Sequence, residues 1–391
     1  MKDRIVRFDR VEFDTRQNRL RQQMEKQKLD AIIVSAPENI YYLSGYQTKA
    51  VFTFQFLLFP VKGPLLLFTR QMEIANAMAA YAEGGFSDYE VYQDDQDPME
   101  AAIAFLRRHL PSGARVGLEL ASWCMPAQRA QGITRGFTAA KWIDVSTLID
   151  RLRLVKSPAE LMALAQAGRI GDAIADRTLA AIAPGRTEND LAAVLMTEMV
   201  NQGSEYPGSW PNVMVGQRTG RIHAAWEGVA IGRDDHVMAE ITGVKLRYHA
   251  PSCRTILVGN PLPAVRHAAE VLEKAQQAAV AAVEAGRPAR VINQAAEAVL
   301  TANDPGCVVA RRCGYSLGIG FPPSWGAQWQ LGLNSLVEET LETGMAFHIV
   351  LVGHLPEGRA VSIGCTVALG ENGPERLTRG GVFWADGSKR L

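Results

Sequence analysis

Apolar and polar positions alternate differently along the chain, and the changes mark its parts. Residues 10–29 repeat at helical spacing. Short apolar runs follow: "DAIIVSA" (30–36), "FQFLLFPV" (54–61), "PLLLFT" (64–69) and "RVGLEL" (115–120). Such runs, bounded by Gly, Pro and polar residues, predict buried strands, and the helical stretches between them predict an α/β domain. At "RLRLVKSPAEL" (151–161) the pattern breaks. There Ser157, Pro158 and Glu160 offer an N-cap, a first-turn proline and a capping-box acid for a long helix. Two domains are predicted, 1–156 and 157–391.

The second part contains an echo of itself. One helix runs into "APGRTENDLAAVL" (183–195) and another into "EAGRPARVINQAAEAVL" (284–300), each through a glycine-containing turn into a further helix. Segments 237–259, 345–352 and 360–369 are strand-like, so an antiparallel sheet backed by paired helices satisfies the order. Within "VMAEITGVKLRYHAPSCRTILVG" (237–259), a strand, a polar turn and a second strand, the apolar opening holds one carboxylate, Glu240. Burying a charge is costly unless it is paired or used. Glu240 is therefore either functional or paired with Lys245, Arg247 or Arg254.

Composition narrows the chemistry. Lys plus Arg and Asp plus Glu both total 41, so a net charge of zero gives no global field for nucleic acid or an anionic membrane. A small or neutral partner is expected. Five cysteines (Cys124, Cys253, Cys307, Cys313, Cys365) form no CxxC pair, which suits neither a disulfide framework nor a zinc module. The opening "MKDRIVRFDR" is charged and lacks the apolar core of a signal peptide, and no run of about 18 apolar residues occurs. A soluble cytoplasmic protein with reduced thiols is expected.

Several motifs in register carry a resemblance. "LRLVKSPAEL", "HAAW" (223–226), "YHAPSCRTILVG" (248–259), "GYSLGIG" (314–320) and "TGMAFHIV" (343–350) fall in the order of the creatinase, prolidase and methionine-aminopeptidase superfamily. The resemblance implies a creatinase-type N-terminal α/β domain followed by a C-terminal pita-bread domain, an α+β fold with an antiparallel sheet backed by helices. Peptidases of that superfamily hold two metal ions with two Asp, one His and two Glu. The matching positions here are Glu240, Pro251, Tyr315, Val350 and Gly364. Only the first is a strong ligand, so the chain resembles a metal-free branch with no cofactor, and Xaa-Pro peptidase activity is disfavoured.

Within that branch the chain is most similar to the ectoine-hydrolase group, through Glu240, "RYHAP" (247–251), "GYSLGIGF" (314–321), "SWGAQW" (324–329) and "MAFH" (345–348). The resemblance implies a metal-independent C–N hydrolase opening a small cyclic amidine or amide, with Glu240 as carboxylate nucleophile. His223 is then the proton shuttle, while Tyr315 and His348 hydrogen-bond developing charge. Trp325, Trp329 and Arg254 are assigned to the substrate, although Arg254, with His249, also reads as scaffold. Packing alone also accounts for His223 beside Trp226, for Tyr315 as a core aromatic and for His348 in a strand.

The stretch "NIYYLSGYQTKAVFTFQ" (39–55) resembles a loop that caps the partner's pocket across a homodimer. Tyr42, Tyr46 and Phe52 then enclose a cationic ring and Lys49 meets a carboxylate, or Tyr42 packs locally and Lys49 points to solvent. Two departures stand out: Gly364 where the ectoine-hydrolase group leads one to expect an acid, and "QTKAVF" where a glycine and tryptophan are expected. A creatinase-like hydrolase of a guanidino compound and a catalytically silent small-molecule binder remain the alternatives.

Overall fold

The structure, a computed structural model, describes residues 8–387; most of the charged opening "MKDRIVRFDR" lies outside them. The chain divides into two compact units, Met1–Arg153 and Leu154–Leu391.

In the first unit, α1 (Arg10–Gln27) begins at Asp9, whose carboxylate accepts from the Glu12 N–H at 2.9 Å. There follow β1 (Ala31–Val34), α2 (Pro37–Ser44), β2 (Phe56–Pro60), β3 (Leu66–Arg70), α3 (Ile74–Ala82), β4 (Asp88–Tyr92), α4 (Pro98–His109), β5 (Arg115–Leu118), α5 (Ala127–Gly136), β6 (Lys141–Asp144) and α6 (Leu148–Leu154). All four predicted apolar runs become strands. They lie in one mixed six-stranded sheet of order β4-β3-β2-β1-β5-β6, parallel except for the β1–β2 and β2–β3 pairs.

The second unit opens with α7 (Pro158–Ala180), started by a complete capping box: Ser157 accepts from the Glu160 N–H, and Glu160 accepts from the Ser157 N–H at 2.9 Å. Next come α8 (Glu188–Asn201), β7 (Asn212–Val215), β8 (Asp235–Lys245) and β9 (Tyr248–Val258). Then α9 (Pro263–Ala281), α10 (Arg290–Asn303), β10 (Val308–Val309), β11 (Arg312–Ser316), β12 (Gly332–Asn334), β13 (Ala346–His354), β14 (Ala360–Gly370), β15 (Gly373–Arg376) and β16 (Gly381–Trp384) complete it. Seven strands follow one path, β12-β11-β13-β14-β9-β8-β7.

The internal echo is real in three dimensions. Gly185 and Gly286 both sit in the left-handed region, at φ +87° and +82°. Each N–H donates to a distant carbonyl, Gly185 to Ile231 at 2.9 Å and Gly286 to Leu341 at 2.8 Å. Each helix pair also covers its own half of the sheet: Ile174, Leu191 and Leu195 pack with Val213, Ala239, Ile241 and Ile256. In the other half, Leu272, Ala275 and Ile292 pack with Ile349, Leu351, Ile363 and Cys365.

The β8–β9 hairpin turns on Leu246 and Arg247, both at positive φ, 50° and 62°. Such a turn matches the twist of a hairpin but strains non-glycine residues. Glu205 holds it, accepting from the Leu246 N–H at 2.7 Å and the Arg247 N–H at 2.9 Å. The hairpin also lies close on α7. A Cβ on Gly243 would come within 2.1 Å of the Ala167 carbonyl oxygen.

Gly243→Ala is therefore expected to lower stability by about 1–3 kcal/mol, measured as a reduced denaturant midpoint with unchanged slope; an unchanged midpoint would show that α7 does not bear on the hairpin so closely.

Candidate functional site

Side chains alternate across a sheet, and that decides which residues of β8 and β9 leave the helix-covered core. Val237, Ala239 and Ile241 face the helices; Met238 and Glu240 line a cavity. Hydrogen-bonded pairing then carries one row across the sheet: Asn212, Glu240, Cys253, Gly364 and Val350. Beside it lies a shorter row of Tyr315, His348 and Thr366.

Two cavities of about 810 and 800 Å³ share Asn212, His223, Glu240, Arg312 and Tyr315 along their walls, so they are lobes of one pocket centred on those residues. Trp210, Trp226, Trp325 and Pro323 line the first lobe. Met214, Met238, Cys253, Arg311 and Leu336 line the second. Glu240 is the one carboxylate among the described lining residues.

Glu240 is 17 % exposed at its side chain. Its Oε2 accepts from Asn212 Nδ2 at 3.3 Å, and the Cys253 sulfur lies within 4.8 Å of a carboxylate oxygen. Burial raises the carboxyl above its ordinary range, while His223, Asn212 and Cys253 pull it back. Among the described residues neither Lys245, Arg247 nor Arg254 forms an ion pair with it. His348 Nε2 lies 3.8 Å from Oε1. Burial lowers the His348 imidazole to about 3, with the Cys365 backbone offsetting part of the effect. It is therefore neutral near pH 7, and neither ring nitrogen has a hydrogen-bond partner of standard geometry. Tyr315 accepts from Trp325 Nε1 at 3.3 Å, and burial pushes its phenol upward, keeping the proton in place. Its own O–H is left to donate into the pocket.

The expected residues separate into groups. Glu240, His223 and Tyr315 come together in both lobes, and Trp325 lines the first. His348 stands behind the lining, 5.5 Å from the Tyr315 ring in a tilted edge contact. Arg254 is corrected: it projects from the opposite face of β9, where it bonds Asp176 at 3.0 Å and Asp172 at 3.1 Å on α7. Trp329 is 52 % exposed and lines neither lobe. His249 is scaffold: its Nε2 accepts from the Gly208 N–H and its Nδ1 meets the Arg247 carbonyl, both at 2.8 Å. Tyr46, Lys49 and Phe52 belong to the first unit. There Tyr46 is packed in the core and donates to Gln55 at 3.0 Å, which corrects its expected role at a ring substrate. Phe52 is 71 % exposed, and Lys49 is exposed.

Asn212, Cys253 and Arg312 escaped the sequence reading. Cys253 was within reach of it. Counting outward from a two-residue turn at Leu246–Arg247 puts Cys253 opposite Glu240, whereas Asn212 and Arg312 arrive from strands with no such anchor.

Comparison with known proteins places these features. Residues 162–384 match the family described as metallopeptidase family M24, and residues 16–155 match the creatinase/prolidase N-terminal domain. The chain is similar to ectoine hydrolase of Halomonas elongata, 27 % identical over 388 residues covering 95 % of this chain and 96 % of that one. It is also similar to Xaa-Pro dipeptidase of Pyrococcus horikoshii, at 23 % over 359 residues, 91 % of this chain and 94 % of the other. Among solved structures, a recombinant prolidase from Thermococcus sibiricus superposes with a TM-score of 0.83 at 21 % identity, covering 97 % of this chain and all of that one. That likeness establishes the fold, a creatinase-type domain followed by a pita-bread domain.

A carboxyl held above its ordinary value of 4.5 keeps its proton longer in the folded than in the unfolded chain. Stability then falls as pH rises through that interval, and ionised Glu240 is a cost above it. Glu240→Gln should raise the melting temperature at pH 7, with the increment shrinking to nothing below about pH 4; an increment independent of pH would count against a strained carboxylate.

Proposed function

Because the chain belongs to metallopeptidase family M24, a family of hydrolases, we propose that it is a metal-independent C–N hydrolase that opens a small cyclic amidine, ectoine-like, with Glu240 as nucleophile. One observation carries the reading. Among the described residues, a single carboxylate, with no ion pair to a Lys or Arg, faces a pocket of aromatic and polar side chains. The similarity to an ectoine hydrolase supports the substrate class.

A pair of hard divalent ions, which the peptidase relatives imply, does not fit this chain. The row facing the pocket supplies one carboxylate, a thiol, an amide, a glycine and a valine, and Pro251 offers no side-chain donor. Two such ions need several oxygen or imidazole ligands. Xaa-Pro peptidase chemistry by that route is therefore not part of the proposal.

In the proposed reaction, the protonated amidine lies against Glu240 and a substrate carboxylate meets Arg312, the guanidinium shared by both lobes. A Glu240 oxygen attacks the amidine carbon. The C–O bond forms as the C=N pair moves onto nitrogen, leaving a neutral tetrahedral adduct. His223 donates a proton to the ring nitrogen, the C–N bond breaks, and an iminium ester remains on Glu240. Water then adds to that carbon, returning one proton to His223. Collapse to the amide releases the carboxylate, and the second water proton goes to the freed amine. Asn212 holds the attacking carboxylate, and the Tyr315 hydroxyl donates to the charge that builds on the substrate.

The proposal includes a homodimer in which segment 39–55 of a second copy closes the pocket, and the exposure of Phe52 supports it. A creatinase-like reaction uses the same residues on an acyclic guanidine. A silent binder would retain the ligand but not turn it over.

Incubation with ectoine, creatine and Xaa-Pro dipeptides separates these readings. Ring opening of ectoine, persisting in excess chelator and abolished by Glu240→Gln, is expected. A mass adduct on the peptide bearing Glu240 should accumulate when turnover is slowed. Activity that chelation removes, or that survives Glu240→Gln, would exclude the mechanism. His223→Ala should lower kcat by roughly 10²–10⁴-fold with Glu240 adduct formation retained; an unchanged kcat would take the shuttle away from His223.

A further inference from the structure

At the pocket wall, Glu240, Cys253 and His348 bring a carboxylate oxygen, a sulfur and an imidazole nitrogen within 4.8 Å of one another. His348 Nε2 and Glu240 Oε1 are 3.8 Å apart. A tetrahedral zinc ion, with bonds of about 2.0–2.3 Å, spaces its donors about 3.3–3.7 Å apart. Binding requires the trio to close to that size by side-chain rotation.

A second observation points the same way. His348 is fully buried, and among the described residues neither ring nitrogen has a hydrogen-bond partner of standard geometry, a condition that buried polar groups rarely keep. Gly364 preserves the space beside the ring. A Cβ there would lie 2.8 Å from Cε1 and 3.0 Å from Nε2 of His348. Glu240 and Cys253 both line the second lobe, which gives an ion a route in and leaves a fourth position open to water.

We propose that Glu240, Cys253 and His348 form a mononuclear site for a borderline-soft divalent cation of the zinc class, and that occupying it silences the hydrolase by engaging its nucleophile. The silencing half rests on the function proposed above; the binding half does not. Mixed sulfur, nitrogen and oxygen donors select zinc over magnesium or manganese. On binding, the thiol proton leaves to solvent as the sulfur–metal bond forms, while the neutral imidazole ligates without losing a proton.

Cobalt(II) titration of the metal-stripped full-length protein tests the site without reference to turnover. One equivalent per chain should give a near-ultraviolet thiolate-to-cobalt absorption and intense tetrahedral visible bands, both displaced by zinc. Cys253→Ser should abolish the ultraviolet band. A crystal of the unmodified protein soaked in zinc should show an anomalous peak bonded to all three side chains, so the answer does not depend on a variant folding. Zinc should slow ectoine opening at least tenfold, reversibly with chelator. Absence of both band and peak, or a band that survives Cys253→Ser, overturns the site; zinc bound there with turnover unaffected overturns the silencing. Chelator-resistant ring opening without cobalt binding would leave the hydrolase reading standing, whereas cobalt binding without any ring opening would leave the metal site standing.

Discussion

The clamp of Glu205 on the Leu246 and Arg247 amides is the constraint on which the pocket depends. It fixes a two-residue turn in a strained conformation and so sets the register of β8 against β9. A slip of one residue would exchange every inward and outward side chain, driving Glu240 into the apolar layer under α7 and α8 and lifting Ala239 into the pocket. Arg254 reinforces the same register from the other face. Its ion pairs with Asp172 and Asp176, shared with Arg379, are possible only when it points toward α7.

Much of the fold was legible because it is written in local patterns. The capping box at Ser157, the apolar runs of the first sheet and the twin glycine turns each depend on residues near in sequence. The site was legible only in part. Glu240 announced itself as a charge in an apolar strand, yet its neighbours come from β7, β11 and β13, whose pairing no local pattern specifies. Arg254 misled because "SCRT" alone does not reveal which face each residue takes. Its partners stand 78 and 82 residues earlier, on α7. Tyr46 and Trp329 were placed by resemblance, and packing in one case and exposure in the other decided their surroundings.

The electrostatics of the pocket follow from its composition. Among the described residues Glu240 has a hydrogen-bond donor in Asn212 but no ion pair to a Lys or Arg, His348 is held neutral, and Tyr315 keeps its proton. A carboxylate in that setting is poorly solvated and correspondingly reactive toward a cationic carbon. Such an arrangement is what the proposed reaction requires, since a cationic substrate would supply the missing charge on arrival.

One feature of the sheet bears on how such a pocket can change. Between β9 and β14 the ladder shrinks to the Cys253–Gly364 pair. Elsewhere hydroxyls stitch the two halves: Thr366 and Thr378 donate to the Pro251 carbonyl at 2.8 and 3.1 Å, and Thr255 donates to the Ser362 carbonyl at 2.9 Å. In a strand the N–H and C=O of one residue point to the same side, so the donor that Pro251 lacks would have faced this seam. A proline normally excluded from a central strand is thus admitted at no loss of pairing. Position 251 keeps its carbonyl on the seam but owes the ladder no N–H, so the side chain there can be exchanged, even for a proline, while the scaffold stays as it is.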